Sequence, residues 1–319
     1  MIELAKAKEI FRNLKKEIQR VIVGQEKIID LILSALLVRG HILLEGVPGT
    51  AKTLTVKTLS SIIGGAFRRI QMTPDLMPSD IIGTNIYDSK SGNFHIQKGP
   101  IFSDLVLVDE INRAPAKTQS ALLECMEERQ VTIEGNLFRL SPIFMVLATQ
   151  NPLEYEGTYP LPEAQLDRFL FKILISYPLE TEEHKILQKF EEGFRSDDLG
   201  KENLAQVATL TDIQSCQEAI RQVKTKPQII EYVISIVRAT RTWNDLLVGG
   251  GPRSGIGLLL ASKALALIDG RDFVTPDDVK EVVFPVLRHR IILKPESEIE
   301  GISSDDCLKN IIGQVKVPR

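Results

Sequence analysis

Five short groupings of residues in this chain have types and spacings suited to chemistry on a phosphate anhydride. The first is Gly46-Val47-Pro48-Gly49-Thr50-Ala51-Lys52-Thr53, a glycine-rich turn after the apolar run Ile42, Leu43, Leu44 and before an amphipathic segment ending near Gly64-Gly65. In such a loop backbone N–H groups and a helix N-terminus surround phosphates, Lys52 reaches the terminal phosphates and the Thr53 hydroxyl holds Mg²⁺. The general pattern has a second glycine where Ala51 stands, and the added methyl costs nothing if that residue has helical φ and ψ. An ordinary Gly/Pro turn between a strand and a helix is the competing reading. The second grouping, Asp109-Glu110, closes the apolar run Leu105-Val106-Leu107-Val108. At the C-terminal end of a buried parallel strand, Asp109 suits a magnesium shell and Glu110 could orient or deprotonate a water attacking a γ-phosphate; two acids capping the next helix are the structural alternative. Gln150-Asn151-Pro152 follows the run 143–149, where an amide either positions that water or caps a turn before the proline. Arg168, ahead of the apolar run 170–175, either pairs with a surface carboxylate or is offered to another subunit's nucleotide. Arg253 follows the run Gly249-Gly250-Gly251-Pro252. A flexible glycine run would place it at a helix N-terminus, where a cation has no favourable dipole reason to sit and an anionic ligand would supply one.

These groupings need elements to hold them. Apolar runs at 42–44, 67–71, 105–108, 143–149 and 170–175 alternate with helix-period segments, which predicts an α/β unit with a parallel sheet. Ahead of it, Leu4, Ala7, Phe11, Leu14 and Ile18 predict an opening helix over 3–20, and Ile28, Ile29, Ile32, Leu36 and Leu37 a second over 26–38. The apolar turn between them, Val21-Ile22-Val23-Gly24-Gln25, either walls an adenine ring or is plain core packing. Pro115 predicts a helix start, running to about Glu128. Two hairpins are expected, one about Ser91-Gly92-Asn93 and one over 131–140 with Gly135-Asn136 as its turn. From Pro178 onward helical periodicity recurs at 181–193, 211–224, 227–243, 253–269 and 276–289, with a short helix starting near Ser303, so an all-helical second domain is expected. Arg288 and Arg290 read as a solvated helix end.

A net charge of −3 over 319 residues gives no global basic field for nucleic acid or an anionic membrane surface. The three cysteines lie far apart and the four histidines never pair at ligand spacing, which argues against a disulfide framework or a zinc site. The charged opening residues and the short apolar runs predict neither a signal peptide nor a membrane span. A reduced, cytoplasmic setting is expected.

Taken in order, the loop at 46–53, Asp109-Glu110-Ile111-Asn112-Arg113-Ala114-Pro115, Ala148-Thr149-Gln150-Asn151-Pro152, Leu166-Asp167-Arg168-Phe169 and Gly251-Pro252-Arg253 resemble the AAA+ ATPases. More narrowly, the chain is similar to the MoxR family, within the clade carrying an insertion in the second helix of the core. The resemblance spans nearly the whole chain. It implies a P-loop NTPase core with a five-stranded parallel sheet, an N-terminal helix and two hairpin insertions over 1–177, followed by a smaller all-helical lid over 178–319. Nucleotide is then expected between the two and at a ring interface. Carried over residue by residue, it implies ATP and Mg²⁺ as cofactors. Val23, Gly24 and Gln25 lie beside the adenine; Gly46, Val47, Pro48, Gly49, Thr50 and Ala51 surround the phosphates; Lys52 contacts the β/γ-phosphates; Thr53 and Asp109 serve the metal. Glu110 is the catalytic base, Asn151 the water- and γ-phosphate-sensing amide, Arg168 the arginine finger acting in trans and Arg253 the lid's sensor arginine. Ala51 is ordinary for the family, whereas Gly251 replaces the serine or similar small residue usual before the lid Pro-Arg. The implied function is a Mg-ATP hydrolase that forms a homo-oligomeric ring, with a hexamer expected, and remodels, assembles or activates a protein client. Metal insertion would be typical work, and a von Willebrand factor A domain protein a typical partner. The alternative is a nucleic-acid motor of the same clade, against which the sparse basic residues of the hairpins count. A nucleotide-gated scaffold with negligible turnover is a third reading, disfavoured by the intact set of Lys52, Glu110, Asn151 and Arg168.

Overall fold

The runs read as buried strands pair side by side. In a computed structural model of the chain, residues 3–46, 51–90, 92–151, 158–195 and 204–318 are described. Val47, Pro48, Gly49 and Thr50 of the glycine-rich loop, and Pro152, lie outside the described residues. The chain opens with α1 (Leu4–Val21), which buries the predicted stripe Ala7, Phe11, Leu14 and Ile18. Then come α2 (Glu26–Leu37), β1 (Ile42–Gly46), α3 (Lys52–Ile62) and β2 (Phe67–Gln71). A short α4 (Pro78–Ile82) leads into a hairpin of β3 (Gly83–Asp88) and β4 (Asn93–Lys98). Next are β5 (Leu105–Asp109), a 3₁₀ turn (Ile111–Arg113), α5 (Ala116–Glu128), the hairpin β6 (Gln130–Ile133) and β7 (Asn136–Arg139), β8 (Met145–Gln150), α6 (Glu163–Leu166) and β9 (Phe171–Ile175).

The main sheet has five strands in the order β2-β5-β8-β1-β9, all parallel. β5 and β8 are interior, so Leu105, Val106, Leu107 and Val108, and Val146, Leu147 and Ala148 beside them, are fully buried. Burial on both faces is why these strands read as unbroken apolar runs rather than alternating ones. Because the strands run one way, their C-terminal ends share one edge of the sheet, here called the upper edge: Gly46, Gln71, Asp109, Gln150 and Ile175. His41, Asp104, Phe144 and Leu170 lie at the lower edge, just before strands begin.

The C-terminal region comprises α7 (Glu180–Glu191), α8 (Leu210–Ala219), α9 (Pro227–Thr242), β10 (Leu246–Val248), α10 (Pro252–Ile268), α11 (Pro276–Leu287), β11 (Ile292–Leu293), α12 (Pro295–Ile299) and α13 (Ser304–Gln314). Thr209, Thr275 and Ser303 start α8, α11 and α13 through reciprocal capping bonds with Asp212, Asp278 and Asp306. The region is not wholly helical: β10 and β11 pair antiparallel, a ribbon too short to show alternation in sequence. It is joined to the sheet by one continuous apolar core, in which Leu258, Ala261 and Leu265 of α10 and Val282 and Val286 of α11 belong with Leu33 and Leu36 of α2 and Phe11 of α1.

Two turns differ from expectation. The β6–β7 turn is Glu134-Gly135, with φ of 48° and 78°, and Asn136 already pairs in β7; positive φ at both central residues is the turn whose twist matches a hairpin. The glycine run before α10 is pinned rather than slack. Gly250 N–H donates to Thr240 Oγ1 at 2.8 Å, Arg241 Nε donates to the Gly250 carbonyl at 2.9 Å, and a Cβ on Gly249 would stand 2.6 Å from the Arg241 Cα. Among the described residues no helix is long and apolar enough to cross a membrane.

Candidate functional site

The upper edge gathers most of the residues singled out in the sequence. Lys52 opens α3, and its Nζ donates to the Gly46 carbonyl oxygen at 2.8 Å. Burial pushes its pKa down and the nearby Asp109 carboxylate pulls it up. Gly46 cannot carry a side chain, because a Cβ there would lie 2.4 Å from the Ile175 carbonyl oxygen across the β1–β9 pair. Ala51, immediately before Lys52, has φ 57° and ψ 17°. This is left-handed, not helical, so the cost-free geometry imagined for its methyl is not what the chain adopts; an L-residue there gives up ~1–2 kcal/mol that glycine would not. Glu110 is also left-handed, with φ 56° and ψ 52°, a turn that swings its carboxylate out beyond the end of β5.

The two acids are tied into a chain of polar groups. Thr149 Oγ1 donates to Asp109 Oδ1 at 3.1 Å and accepts from the Glu110 N–H at 3.0 Å. Arg69 Nε donates to Asp109 Oδ2 at 2.6 Å, Arg69 Nη2 to Gln71 Oε1 at 3.2 Å, and Gln71 Nε2 to Glu110 Oε2 at 2.9 Å. Arg113 completes the shell, its Nε 3.2 Å from Glu110 Oε2. Asn151 follows β8 directly and is half-buried at the same edge. Thr53 sits beside Lys52 in the first turn of α3, also half-buried. Asp109 and Thr53 fit a magnesium ion: they are hard oxygen donors, few in number, leaving positions for water and phosphate oxygens. Asp109 already carries a cation on one oxygen, the Arg69 guanidinium. Mg²⁺ bound there would neutralise charge on the phosphates.

The turn Val23-Gly24-Gln25 belongs to this edge as well. α2 runs down from it to the lower edge, where Leu170 N–H donates to the His41 carbonyl at 2.8 Å. Gly24 has φ +68°, and a Cβ on it would meet the Glu182 carboxylate of α7 at 2.2 Å. α7, five residues beyond β9, therefore stands over the proposed adenine segment.

Arg168 and Arg253 are elsewhere. Both are at the lower edge, separated from Lys52 by the length of a strand, about 13 Å for four residue steps. Arg168 Nη1 donates to the Leu123 carbonyl at 2.6 Å. Arg253, in the first turn of α10, pairs with Glu127 at 2.9 Å and Asp167 at 3.4 Å. The anions that offset its unfavourable place at a helix N-terminus are thus two carboxylates of its own chain.

Sequence reasoning missed several residues. Arg290 is no solvated helix end. Its side chain is 6% exposed, its Nε donates to Asp167 Oδ1 at 2.7 Å, and its other nitrogens donate to the carbonyls of Val286, Asp167, Phe169 and Leu170 at 2.6–3.4 Å. It fixes the segment that carries Arg168. Arg288 is likewise engaged, pairing with Asp305 at 2.8 Å. Arg69 and Gln71 on β2 were missed because a mostly exposed edge strand carries no motif. Thr149 was in view only as a neighbour of Asn151.

The family model of the ATPase family associated with various cellular activities (AAA) matches residues 41–171, and that of the AAA lid domain matches residues 238–311. Among relatives, YeaC of Bacillus subtilis (strain 168) is 46% identical over 303 residues, covering 95% of this chain and 93% of its own. The chaperone MoxR1 of Mycobacterium tuberculosis is 44% identical over 312 residues, covering 95% of this chain and 81% of its own. The crystal structure of a Cytophaga hutchinsonii protein described as a candidate ATPase superposes with a TM-score of 0.90 at 42% identity, covering 98% of each chain.

Proposed function

The chain belongs to the MoxR family of AAA+ ATPases and is an ATP hydrolase of that family, and on that premise we propose that it works as a ring whose active sites are each shared by two subunits. The observation that carries this reading is the split of the site residues between two edges of one sheet. On the upper edge Lys52 contacts the β/γ-phosphates, Thr53 and Asp109 hold Mg²⁺, Asn151 orients the attacking water and Glu110 takes its proton. Arg168 and Arg253 of the same chain do not reach these groups, since they stand a strand's length away at the lower edge. A head-to-tail arrangement brings the lower edge of one copy to the upper edge of the next, and closes into a ring when the rotation allows. Arg168 is then the finger and Arg253 the lid sensor, both acting on the neighbour's nucleotide. A hexamer is the expected closure, with the core over 1–177 and the lid over 178–319 as its parts.

The work done is on a protein client. The β3–β4 hairpin presents Tyr87 and Phe94, 56% and 67% exposed, and the β6–β7 hairpin presents Leu137, 56% exposed. Lys98 holds the base of both, its Nζ 5.0 Å from the Phe102 ring and 5.8 Å from the Phe138 ring. Apolar tips with few cations suit a polypeptide better than a phosphate backbone. A von Willebrand factor A domain protein is the expected partner, and metal insertion or complex assembly the expected task.

Mixing two inactive variants tests the shared site. Lys52→Ala removes the phosphate lysine and Arg168→Ala the finger; combined, they form some interfaces with both groups intact, and phosphate release should reappear. Absence of any recovery in co-assembled mixtures would place the finger in its own chain or nowhere. Glu110→Gln should bind ATP and fail to hydrolyse it, which a binding titration beside a phosphate-release assay reads directly.

A further inference from the structure

Beyond the hairpin tips, two further surfaces among the described residues expose apolar side chains, and they stand at opposite edges. The first is α7. None of its residues is buried, and Ile186, Leu187 and Phe190 are 41%, 64% and 53% exposed. At spacings of one, three and four residues these side chains share one helix face. The segment is acidic, with Glu180, Glu182, Glu183, Glu191 and Glu192 against Lys185, Lys189 and Arg195 over 180–195; the Arg195 guanidinium lies over the Phe190 ring, 4.1 Å from its centroid, and leaves Ile186 and Leu187 as the open part of the face. It belongs to the upper edge, because it follows β9 and sets Glu182 over Gly24. The second surface is a groove of about 360 Å³ between α9 and α10, lined by Ile230, Ile234, Ile256 and Leu259 and rimmed by Arg238 and Arg241. Ile230, Ile234 and Ile256 are 41%, 43% and 59% exposed. The groove opens beside Pro252, next to Arg253, and so belongs to the lower edge.

We infer that α7 of one copy docks its Ile186–Phe190 face into the α9/α10 groove of the next copy. The inference rests on the ring reading above and names the contact that would build it. An apolar helix face needs an apolar groove, and a net acidic helix needs a cationic rim; this chain carries one of each. Their placement forbids self-satisfaction. α2, which spans the two edges, is 12 residues long, about 18 Å at 1.5 Å per residue. A patch and its complement on opposite faces make a heterologous contact, which repeats in one direction around a ring, whereas a symmetric dimer needs one patch that complements itself. The same contact places the neighbour's Arg253 end of α10 toward the edge that holds Lys52. Nucleotide site and assembly surface are then read together, since α7 carries both Glu182 over the adenine segment and the docking face.

Cross-linking separates this contact from others. Leu187→Cys and Ile234→Cys alter exposed positions, so both variants should fold. The native thiols of Cys125, Cys216 and Cys307 are buried, and burial pushes those of Cys125 and Cys216 up to about 12, so a short bismaleimide will pass them by. With Mg-ATP, the mixture of the two variants should yield a covalent dimer, neither variant alone should, and a chain carrying both should yield a ladder. Arg238→Glu should lower the dimer yield several-fold. A dimer from Leu187→Cys alone would mean symmetric pairing and overturn the inference. So would no dimer from the mixture while sedimentation shows an assembled species, a result that leaves the ring itself standing. Sedimentation as a monomer at every concentration of protein and Mg-ATP would remove the ring and this contact together.

Discussion

The two edges of the sheet hold their charges differently. At the upper edge Asp109 and Glu110 meet side chains that water reaches: Arg69 on Asp109 is 53% exposed and Arg113 on Glu110 is 43% exposed. At the lower edge Arg290 is almost sealed and is held by one carboxylate and four carbonyls. Exposed pairs contribute ~0–1 kcal/mol, whereas removing one partner of a buried pair costs ~3–5 kcal/mol. The contrast suits the proposed roles. On that proposal Asp109 and Glu110 would exchange Arg69 and Gln71 for a metal, a water and phosphates, which weak resting partners allow. The segment around Arg168 would present a guanidinium to a different molecule, which a segment fixed beforehand favours.

Breaking the fixed edge should have the largest consequences. Arg168→Ala should lower phosphate release by ~10³–10⁵ while leaving the binding of a fluorescent ATP analogue unchanged. Turnover close to that of the unaltered chain would mean that Arg168 takes no part in catalysis. Arg290→Ala removes the clamp rather than the finger. It should destabilise the fold by about 3–5 kcal/mol, seen as a lower melting temperature, and Arg290→Lys should recover little because an ammonium cannot reproduce the guanidinium fork. A melting temperature unmoved by Arg290→Ala would put the two edges on the same footing.

Acid should discriminate between the edges next. The lower edge contains two buried histidines. His41 Nδ1 accepts from the Val146 N–H at 3.0 Å and its Nε2 donates to the Met126 carbonyl at 3.1 Å; burial, then the Arg129 charge, lowers its pKa to about 3. His289 Nε2 donates to the Phe169 carbonyl at 3.0 Å, and burial, with Arg290, Lys172 and Arg288 around it, lowers its pKa well below the usual value. Both must stay neutral in the fold while the unfolded chain takes protons below about pH 6.5. Stability contributed by each is therefore present above that pH and is lost as pH falls toward the folded value, about 1.4 kcal/mol per histidine at pH 5.5. Hydrogen exchange on a pH series should show amides at 169–171 losing protection before those at 105–108; the reverse order would contradict the assignment. The smallest expected effect belongs to the upper edge. Ala51→Gly relieves a left-handed alanine and should stabilise by about 0.5–1 kcal/mol, the steric relief less the entropy glycine loses, a shift that a denaturant midpoint can detect.

Much of this was legible in the sequence, for identifiable reasons. The interior strands declare themselves because burial on both faces forces runs such as Leu105-Val106-Leu107-Val108. The helices declare themselves through stripes such as Ala7, Phe11, Leu14 and Ile18, all fully buried. Lys52, Asp109 and Glu110 stood out because they end or follow such strands. Strand order did not, since pairing between β2 and β5, or β8 and β1, is a long-range choice that local periodicity does not encode. Arg290 was misread because a cation after a helix is usually solvated, and only the fold brings the Asp167 carboxylate and the carbonyls of Asp167, Phe169 and Leu170 within its reach. The Glu134-Gly135 turn was displaced by one residue, a slip that two adjacent turn-formers on either side of a glycine invite.

The apolar core that passes unbroken from α1 and α2 into α10 and α11 has a mechanical consequence. A jaw needs a seam along which it opens, and opening here would wet Leu258, Ala261 and Leu265, at about 1.5–3 kcal/mol for each leucine. Close-packed interiors of this kind resist bending and transmit strain. Each copy should therefore tilt as one stiff wedge; in the proposed ring the torque released by hydrolysis would be borne at the junctions between wedges rather than by a closing motion inside any one of them.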